Sequence, residues 1–175
     1  MDLVDGIVKR VSSTCALLAA ACGAGVMILM SLDVFNRLFT GQSIRGAFEM
    51  VETLMVFLVF LGIAHAERTD AHVRVRLVTG RLPPMAAEIT RSFGNAMALG
   101  IVVWMAWATT GVAQSSVARG EFRMGLVNFP IWPARIVVAV GLWLLSVELL
   151  LTVSKSIRRI LHREPAASDL TSAAL

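Results

Sequence analysis

Two acidic residues at the start of an apolar segment are the first candidates for chemistry in this chain. Glu49 and Glu52 are three residues apart, so on a helix they lie on one face, one turn from each other. Arg45 precedes Glu49 by four residues, a spacing that allows an ion pair on that face. Such a cluster could bind a cation or a proton, or it could pair locally or with a partner subunit. We favour pairing, because the cluster lies near the boundary of the apolar segment.

The histidines and cysteines do not form a recognisable cofactor site. His65 and His72 are two turns apart, but a bis-histidine haem would need ligands on facing helices, and the third histidine, His162, is in the C-terminal tail. Cys15 and Cys22 have no CxxC spacing and no nearby histidine, which indicates packing residues. The sequence shows no nucleophile–base pair, phosphate-binding glycine loop or metal-ligand cluster. We therefore predict that the chain is not an enzyme and holds no cofactor.

Four long apolar segments carry these residues. The chain has 175 residues, of which 57% are hydrophobic, and its mean hydropathy is +0.74. A soluble domain has about 45–50% apolar residues, and a helix that crosses a bilayer needs about 20. Lipid cannot satisfy backbone hydrogen bonds, so the segments must be helical. We predict an all-α integral membrane protein, a single membrane domain over residues 1–175, with transmembrane helices at about 12–33, 47–66, 91–115 and 132–154.

The segments outside these helices are short. The first apolar run, residues 11–32, exceeds the roughly 7–15 residues of a signal-peptide core, so we expect it to remain as a membrane helix. Residues 2–13 and 72–90 mix basic and apolar positions and are predicted to form short amphipathic segments at the membrane interface. Residues 164–175 are predicted to be a flexible tail.

The distribution of basic residues predicts the orientation. Eleven of the 16 lysines and arginines lie on the side of the two termini and the middle loop, and five lie on the other side. Because cytoplasmic loops are enriched in lysine and arginine, we expect both termini in the cytoplasm. The net charge of +4 does not indicate nucleic-acid binding, since the basic residues flank apolar spans instead of forming a patch with aromatic residues.

Few polar groups lie inside the apolar segments. Glu148 is inside the fourth, and its partner cannot be named from sequence. Small residues recur every four positions in the first segment, which is typical of close helix packing; the two stripes are Ala16, Ala20 and Ala24, and Ala19 and Gly23. A stand-alone transporter usually has internal repeats and interrupted helices around a midplane site, and neither is present. The pattern favours a scaffold or accessory subunit.

An ordered set of short motifs resembles the small membrane subunit of tripartite ATP-independent periplasmic (TRAP) transporters, the DctQ-like family. The matching features, in chain order, are Arg37 after the first span, Glu49 opening the second, the Phe/Leu/Val-rich run of residues 57–62 that ends in Gly62, the sequence His72-Val73-Arg74-Val75, and Leu82-Pro83. The chain departs from the family pattern by lacking an aromatic residue beside Arg37 and a tryptophan before Glu49, and by having Arg76 where an acidic residue often stands.

The resemblance implies a three-part complex in a bacterial inner membrane. A periplasmic binding protein captures an organic acid, a large membrane subunit moves it with a sodium gradient, and the small subunit supports the large one. Arg37, Glu49 and Glu52 would stabilise the first two helices or contact the partner on the periplasmic side. His72 and Arg74 would order the cytoplasmic turn, so that the family-motif and partner-contact candidates are Arg37, Glu49, Glu52, Gly62, His72 and Arg74.

Three other functions remain open at this point. The small four-helix subunit of tripartite tricarboxylate transporters has the same architecture, although the turn at His72–Val75 favours the TRAP family. A redox anchor of the cytochrome or quinone type would need cofactor ligands. A free-standing small transporter would use Glu49 and Glu52 and would work without a partner.

Overall fold

The structure is a computed structural model, and it describes residues 2–69, 84–123 and 129–162. Four helices account for most of these residues: α1 (Asp2–Thr40), α2 (Ala47–Arg68), α3 (Pro84–Arg119) and α4 (Trp132–His162). Two short strands, β1 (Phe122–Arg123) and β2 (Phe129–Pro130), pair antiparallel between α3 and α4. The predicted all-α class with four spanning helices is confirmed, and the small strand pair is a feature that the sequence analysis did not predict.

Local sequence explains where these helices begin and end. Gly120 follows the last residue of α3 with a φ of 57°. Its N–H donates to the carbonyl of Val117, and the N–H of Glu121 donates to the carbonyl of Ser116. This pair of bonds is a Schellman motif, which terminates a helix and favours glycine at the left-handed position. Pro133 lies in the first turn of α4, where a missing N–H costs nothing.

The helices pack in a row in the order α1, α2, α4, α3. Both α2 and α4 have a neighbour on each side, whereas α1 packs mainly on α2 and α3 mainly on α4. The fourth helix is accordingly the most buried along its apolar span and α1 the least. A row leaves two faces of each helix uncovered, in contrast to a closed four-helix bundle.

Helices α2 and α4 run parallel and approach closely at one glycine. A Cβ at Gly141 would collide with the carbonyl oxygen of Phe60, so the backbones meet there without a side chain between them. Eight residues further along α2, Arg68 faces Glu148 of α4, which shows that the two helices run in the same direction. Small and branched residues of the two helices are almost fully buried: Ala64, Leu142, Leu145 and Leu149.

Helices α1 and α2 run antiparallel and meet through small residues. A Cβ at Gly62 would lie 3.6 Å from the Cβ of Ala19, and a Cβ at Gly23 would lie 2.9 Å from a side-chain carbon of Leu58. Of the two small-residue stripes in α1, the one with Ala19 and Gly23 therefore packs against α2. Ala20 of the other stripe is exposed.

The uncovered faces are strongly apolar. Each helix contains a stretch long and apolar enough to cross a membrane, namely Gly6–Thr40, Ala47–Arg68, Ser92–Arg119 and Trp132–Ile157. On α3, Trp104 and Trp107 are each 74% exposed. Such a surface would aggregate in water but suits lipid or a partner helix. The chain is a multi-pass membrane protein.

Two segments differ from the predicted interfacial helices. Residues 2–13 are continuous with α1, which has 39 residues and a length of about 58 Å at about 1.5 Å per residue. This length exceeds the roughly 30 Å hydrocarbon core, so α1 extends beyond it. Residues 84–90 are the first turns of α3. The rest of the predicted segment, 72–83, and the predicted tail, 164–175, lie outside the described residues.

Replacing Gly141 by alanine should destabilise the chain. The added methyl group would press on the Phe60 carbonyl, which is backbone and cannot rotate away, and overpacking of this kind costs about 1–3 kcal/mol. We expect a lower thermal unfolding temperature for Gly141→Ala in detergent. Gly111→Ala in α3 is the matched control, because a Cβ there meets no atom within 4 Å. Equal unfolding temperatures for the two variants would contradict the close approach of α2 and α4.

Candidate functional site

Polar side chains gather at the two ends of the α2–α4 pair. We call the end that carries residues 41–46, β1 and β2 the turn end, and the end where α2 stops at Arg68 the opposite end. Glu49 and Glu52 are near the turn end, and Glu148 is near the opposite end.

Asp33 organises the connection from α1 to α2 at the turn end. Its Oδ1 accepts hydrogen bonds from the Ser43 hydroxyl and the Ile44 backbone N–H, both at 2.7 Å. Its Oδ2 accepts one from Arg37, one helical turn later, at 3.3 Å. The carboxylate is buried by these contacts, while the Arg37 side chain stays 64% exposed. Arg37 is therefore held through one guanidinium nitrogen, while most of its side chain stays accessible.

Glu121 has the same role between α3 and α4. It accepts a hydrogen bond from the Ser116 hydroxyl at 2.9 Å and forms ion pairs with Arg119 and Arg135. These contacts join the end of α3 to the first turns of α4. The sequence analysis singled out neither Asp33 nor Glu121, although a charged residue next to a turn between two apolar runs was the available signal.

A half-open pocket of about 200 Å³ lies at the turn end between α2 and α4. Its polar side chains are Glu49, Glu52, Thr53 and Arg135, and the rest of its wall is apolar, formed by Val56, Phe129, Pro130, Ile131, Ala134 and Val138. Glu49 is buried and Arg45 is exposed, and among the described residues no ion pair joins them. The local pairing that the sequence spacing allowed is therefore not formed. The two glutamates do line one site, which the sequence could only place on one helix face.

The opposite end contains an ion pair between α2 and α4. The Arg68 Nη1 atom lies 3.0 Å from Oε1 and 3.3 Å from Oε2 of Glu148. The Glu148 side chain is 5% exposed and that of Arg68 is 21% exposed. Arg68 is the partner of Glu148 that the sequence could not name, because the two residues are 80 positions apart and only the parallel packing of α2 and α4 brings them together.

The remaining candidates divide between the described and the undescribed parts of the chain. Gly62 lies at the α1–α2 contact, against Ala19. Among the described residues, the Nδ1 of His65 is buried without a hydrogen-bond partner. His72 and Arg74 lie outside the described residues. Within those described ranges, no group of three or more histidine, cysteine, aspartate or glutamate side chains could hold a metal ion.

Removing Arg68 should destabilise the protein by about 3 kcal/mol, because the Glu148 carboxylate would remain buried without its guanidinium partner. Removing Glu148 should also destabilise it, because the ion pair between α2 and α4 is lost. We expect clearly lower thermal unfolding temperatures for Arg68→Gln and for Glu148→Gln in detergent. The double variant should lose less than the sum of the two losses, since the same ion pair is lost in each single variant. Strictly additive losses would show that the two side chains do not interact.

A comparison with known families agrees with this architecture. No curated protein matches the chain. The model of the family described as "Tripartite ATP-independent periplasmic transporters, DctQ component" matches residues 26–159. This range begins within α1, includes α2 and α3 and ends near the end of α4, so it contains both polar ends of the α2–α4 pair. The chain therefore belongs to the DctQ family and is a small subunit of a TRAP transporter, a transport component.

Proposed function

We propose that this chain supports the large membrane subunit of a TRAP transporter in the sodium-coupled uptake of an organic acid delivered by a periplasmic binding protein. The observation that carries the proposal is the open row of helices in a chain that belongs to the DctQ family. A row of helices with uncovered apolar faces, whose connections are held by hydrogen bonds and ion pairs, offers a large surface to a second membrane protein. It encloses no substrate path among its described helices.

The exposed amide of Gln114 on α3 is an argument that a partner protein covers this surface. Gln114 is exposed and lies beside an apolar groove between α3 and α4, which Trp143 and Val117 also line. Lipid tails offer no hydrogen bonds, so an amide at this position is better satisfied by a polar group of another protein. The exposed tryptophans of α3 would add packing area to such a contact.

The proposed location is the inner membrane of a bacterium, with both termini in the cytoplasm. The distribution of lysine and arginine supports this orientation. It would place the turn end, with Arg37, Glu49 and Glu52, at the periplasmic side, where a binding protein delivers its substrate. It would place the Arg68–Glu148 pair towards the cytoplasm, next to the segment that contains His72 and Arg74.

Within this proposal the six motif residues have different roles. Gly62 serves packing inside the chain, because it faces Ala19. Arg37 and Glu49 remain candidates for contact with the partner, the first because its side chain is exposed and the second because it lines an open pocket. Glu52 lines the same pocket. For His72 and Arg74 the proposed role, ordering the cytoplasmic turn, depends on the family resemblance.

Purification of the tagged chain from its native membrane in mild detergent tests the proposal. We expect a much larger polytopic protein at a fixed stoichiometry, identified by mass spectrometry as the large TRAP subunit. The two subunits together in liposomes should then take up substrate only with the binding protein and a sodium gradient. If the chain alone transported a solute in liposomes, the supporting role would be wrong.

Replacing Arg74 by alanine should lower the yield of the complex or the rate of uptake, because this residue belongs to the family motif. Arg76→Ala is the matched control: it removes the same charge two residues later, at a position where the chain departs from the family pattern. We would measure the ratio of large to small subunit after purification, and uptake in the same membranes. Equal values for both variants and the wild type would refute a role for Arg74.

A further inference from the structure

Glu49 differs from the other buried carboxylates of the chain. Three carboxylate residues are buried among the described residues: Asp33, Glu49 and Glu148, with exposed fractions of 7%, 8% and 4%. Asp33 accepts three hydrogen bonds, and Glu148 is paired with Arg68. The Glu49 carboxylate makes no hydrogen bond or ion pair with any residue that the structure describes. Because a buried charge is costly without a partner, the Glu49 carboxylate is suited to pair with a group from outside the described helices.

The pocket around Glu49 has the charge and shape to receive such a group. Glu49 lines the pocket with a carboxylate that no described side chain pairs, and Arg135, the cation in the pocket wall, is already ion-paired with Glu121. The negative charge of Glu49 is therefore left for a ligand that enters the pocket. Its wall is otherwise apolar, with Val56 and Val138 on either side of the space between α2 and α4.

This combination fits a basic side chain better than a metal ion. Hard metal cations take several oxygen ligands. Besides the two carboxylates, the side chains of the described wall offer one oxygen, the Thr53 hydroxyl, which already donates to the Glu49 backbone carbonyl. Lysine and arginine instead combine an apolar stem with a charged head, so the stem can lie against valines while the head reaches a carboxylate.

We propose that the Glu49 pocket receives one lysine or arginine side chain of the large membrane subunit. The stem would pack between Val56 and Val138, and the charged head would pair with Glu49. The identity of the partner rests on the proposed function, whereas the unpaired charge and the apolar wall come from this chain. An intersubunit ion pair at this depth would fix the large subunit against the turn end of the α2–α4 pair.

The pairing predicts opposite effects for two glutamate-to-glutamine variants. In the isolated chain, Glu49→Gln should leave the unfolding temperature unchanged or raise it, because it removes an unpaired buried charge. Glu148→Gln is the matched control and should lower that temperature, since its partner Arg68 belongs to the same chain. In the complex, Glu49→Gln should raise the Kd for the large subunit by at least about 30-fold, the size expected when one member of a buried interfacial charge pair is lost.

A charge exchange identifies the partner residue. Glu49→Lys should abolish co-purification, and one lysine or arginine of the large subunit should restore it when changed to glutamate. The proposal is wrong if Glu49→Gln binds the large subunit as tightly as the wild type, or if no single exchange among the basic residues of the large subunit restores binding to Glu49→Lys. It is also wrong if Glu49→Gln destabilises the isolated chain as Glu148→Gln does, because Glu49 would then have a structural role within the chain.

Two further results separate the remaining explanations. If sodium chloride raises the unfolding temperature of the isolated wild type above its value in choline chloride, and Glu49→Gln abolishes the rise, the pocket binds a metal ion and the proposal fails. If the wild-type chain co-purifies with no large subunit, the proposed function fails and the pairing fails with it. A wild-type complex that Glu49→Gln does not weaken would overturn the pairing alone.

Discussion

The parallel contact between α2 and α4 is the constraint on which the rest of the structure depends. It combines a backbone approach at Phe60 and Gly141, which only a glycine permits, with an ion pair between Arg68 and Glu148 near its end. In lipid there is no hydrophobic force to hold helices together, so close packing and interhelical polar contacts must do it. Because α1 packs mainly on α2 and α3 mainly on α4, the position of both outer helices follows from this central pair.

The chain uses a few carboxylates to connect its helices. Asp33 ties the last turns of α1 to the residues that lead into α2, and Glu121 ties the end of α3 to the start of α4. Each is a carboxylate next to a turn, where water can reach part of the network and the cost of desolvation is smaller. Glu148 lies within α4 and connects it to the end of α2, and its charge has a guanidinium partner at 3.0 Å. Polar interactions thus hold each helix to the next one, and apolar side chains fill the space between the helices.

Much of this fold could be predicted from the sequence, because a segment that crosses lipid must be a long apolar helix. Long uncharged runs predicted four helices, and an ordered set of motifs that includes Arg37 and Glu49 predicted the DctQ family. The packing order was not predictable, since both stripes of small residues in α1 were suited to close contact and only the stripe with Ala19 faces α2. The partner of Glu148 was hidden for the same reason: pairing over 80 positions depends on which helices are neighbours.

In the row of helices, different surfaces stabilise the fold and remain open for a partner. The central pair has its own polar contact and its own glycine approach, so it can hold together before any partner binds. The outer surfaces, including the tryptophans of α3, contribute little to the fold and remain available for a second protein. The proposed supporting role would gain from this division, because changes on the outer faces can adjust the fit to a partner without disturbing the central pair. Glu49 combines features of the central pair and of the outer surfaces. It is buried by the chain's own helices, yet no residue in the described part of the chain pairs with its charge.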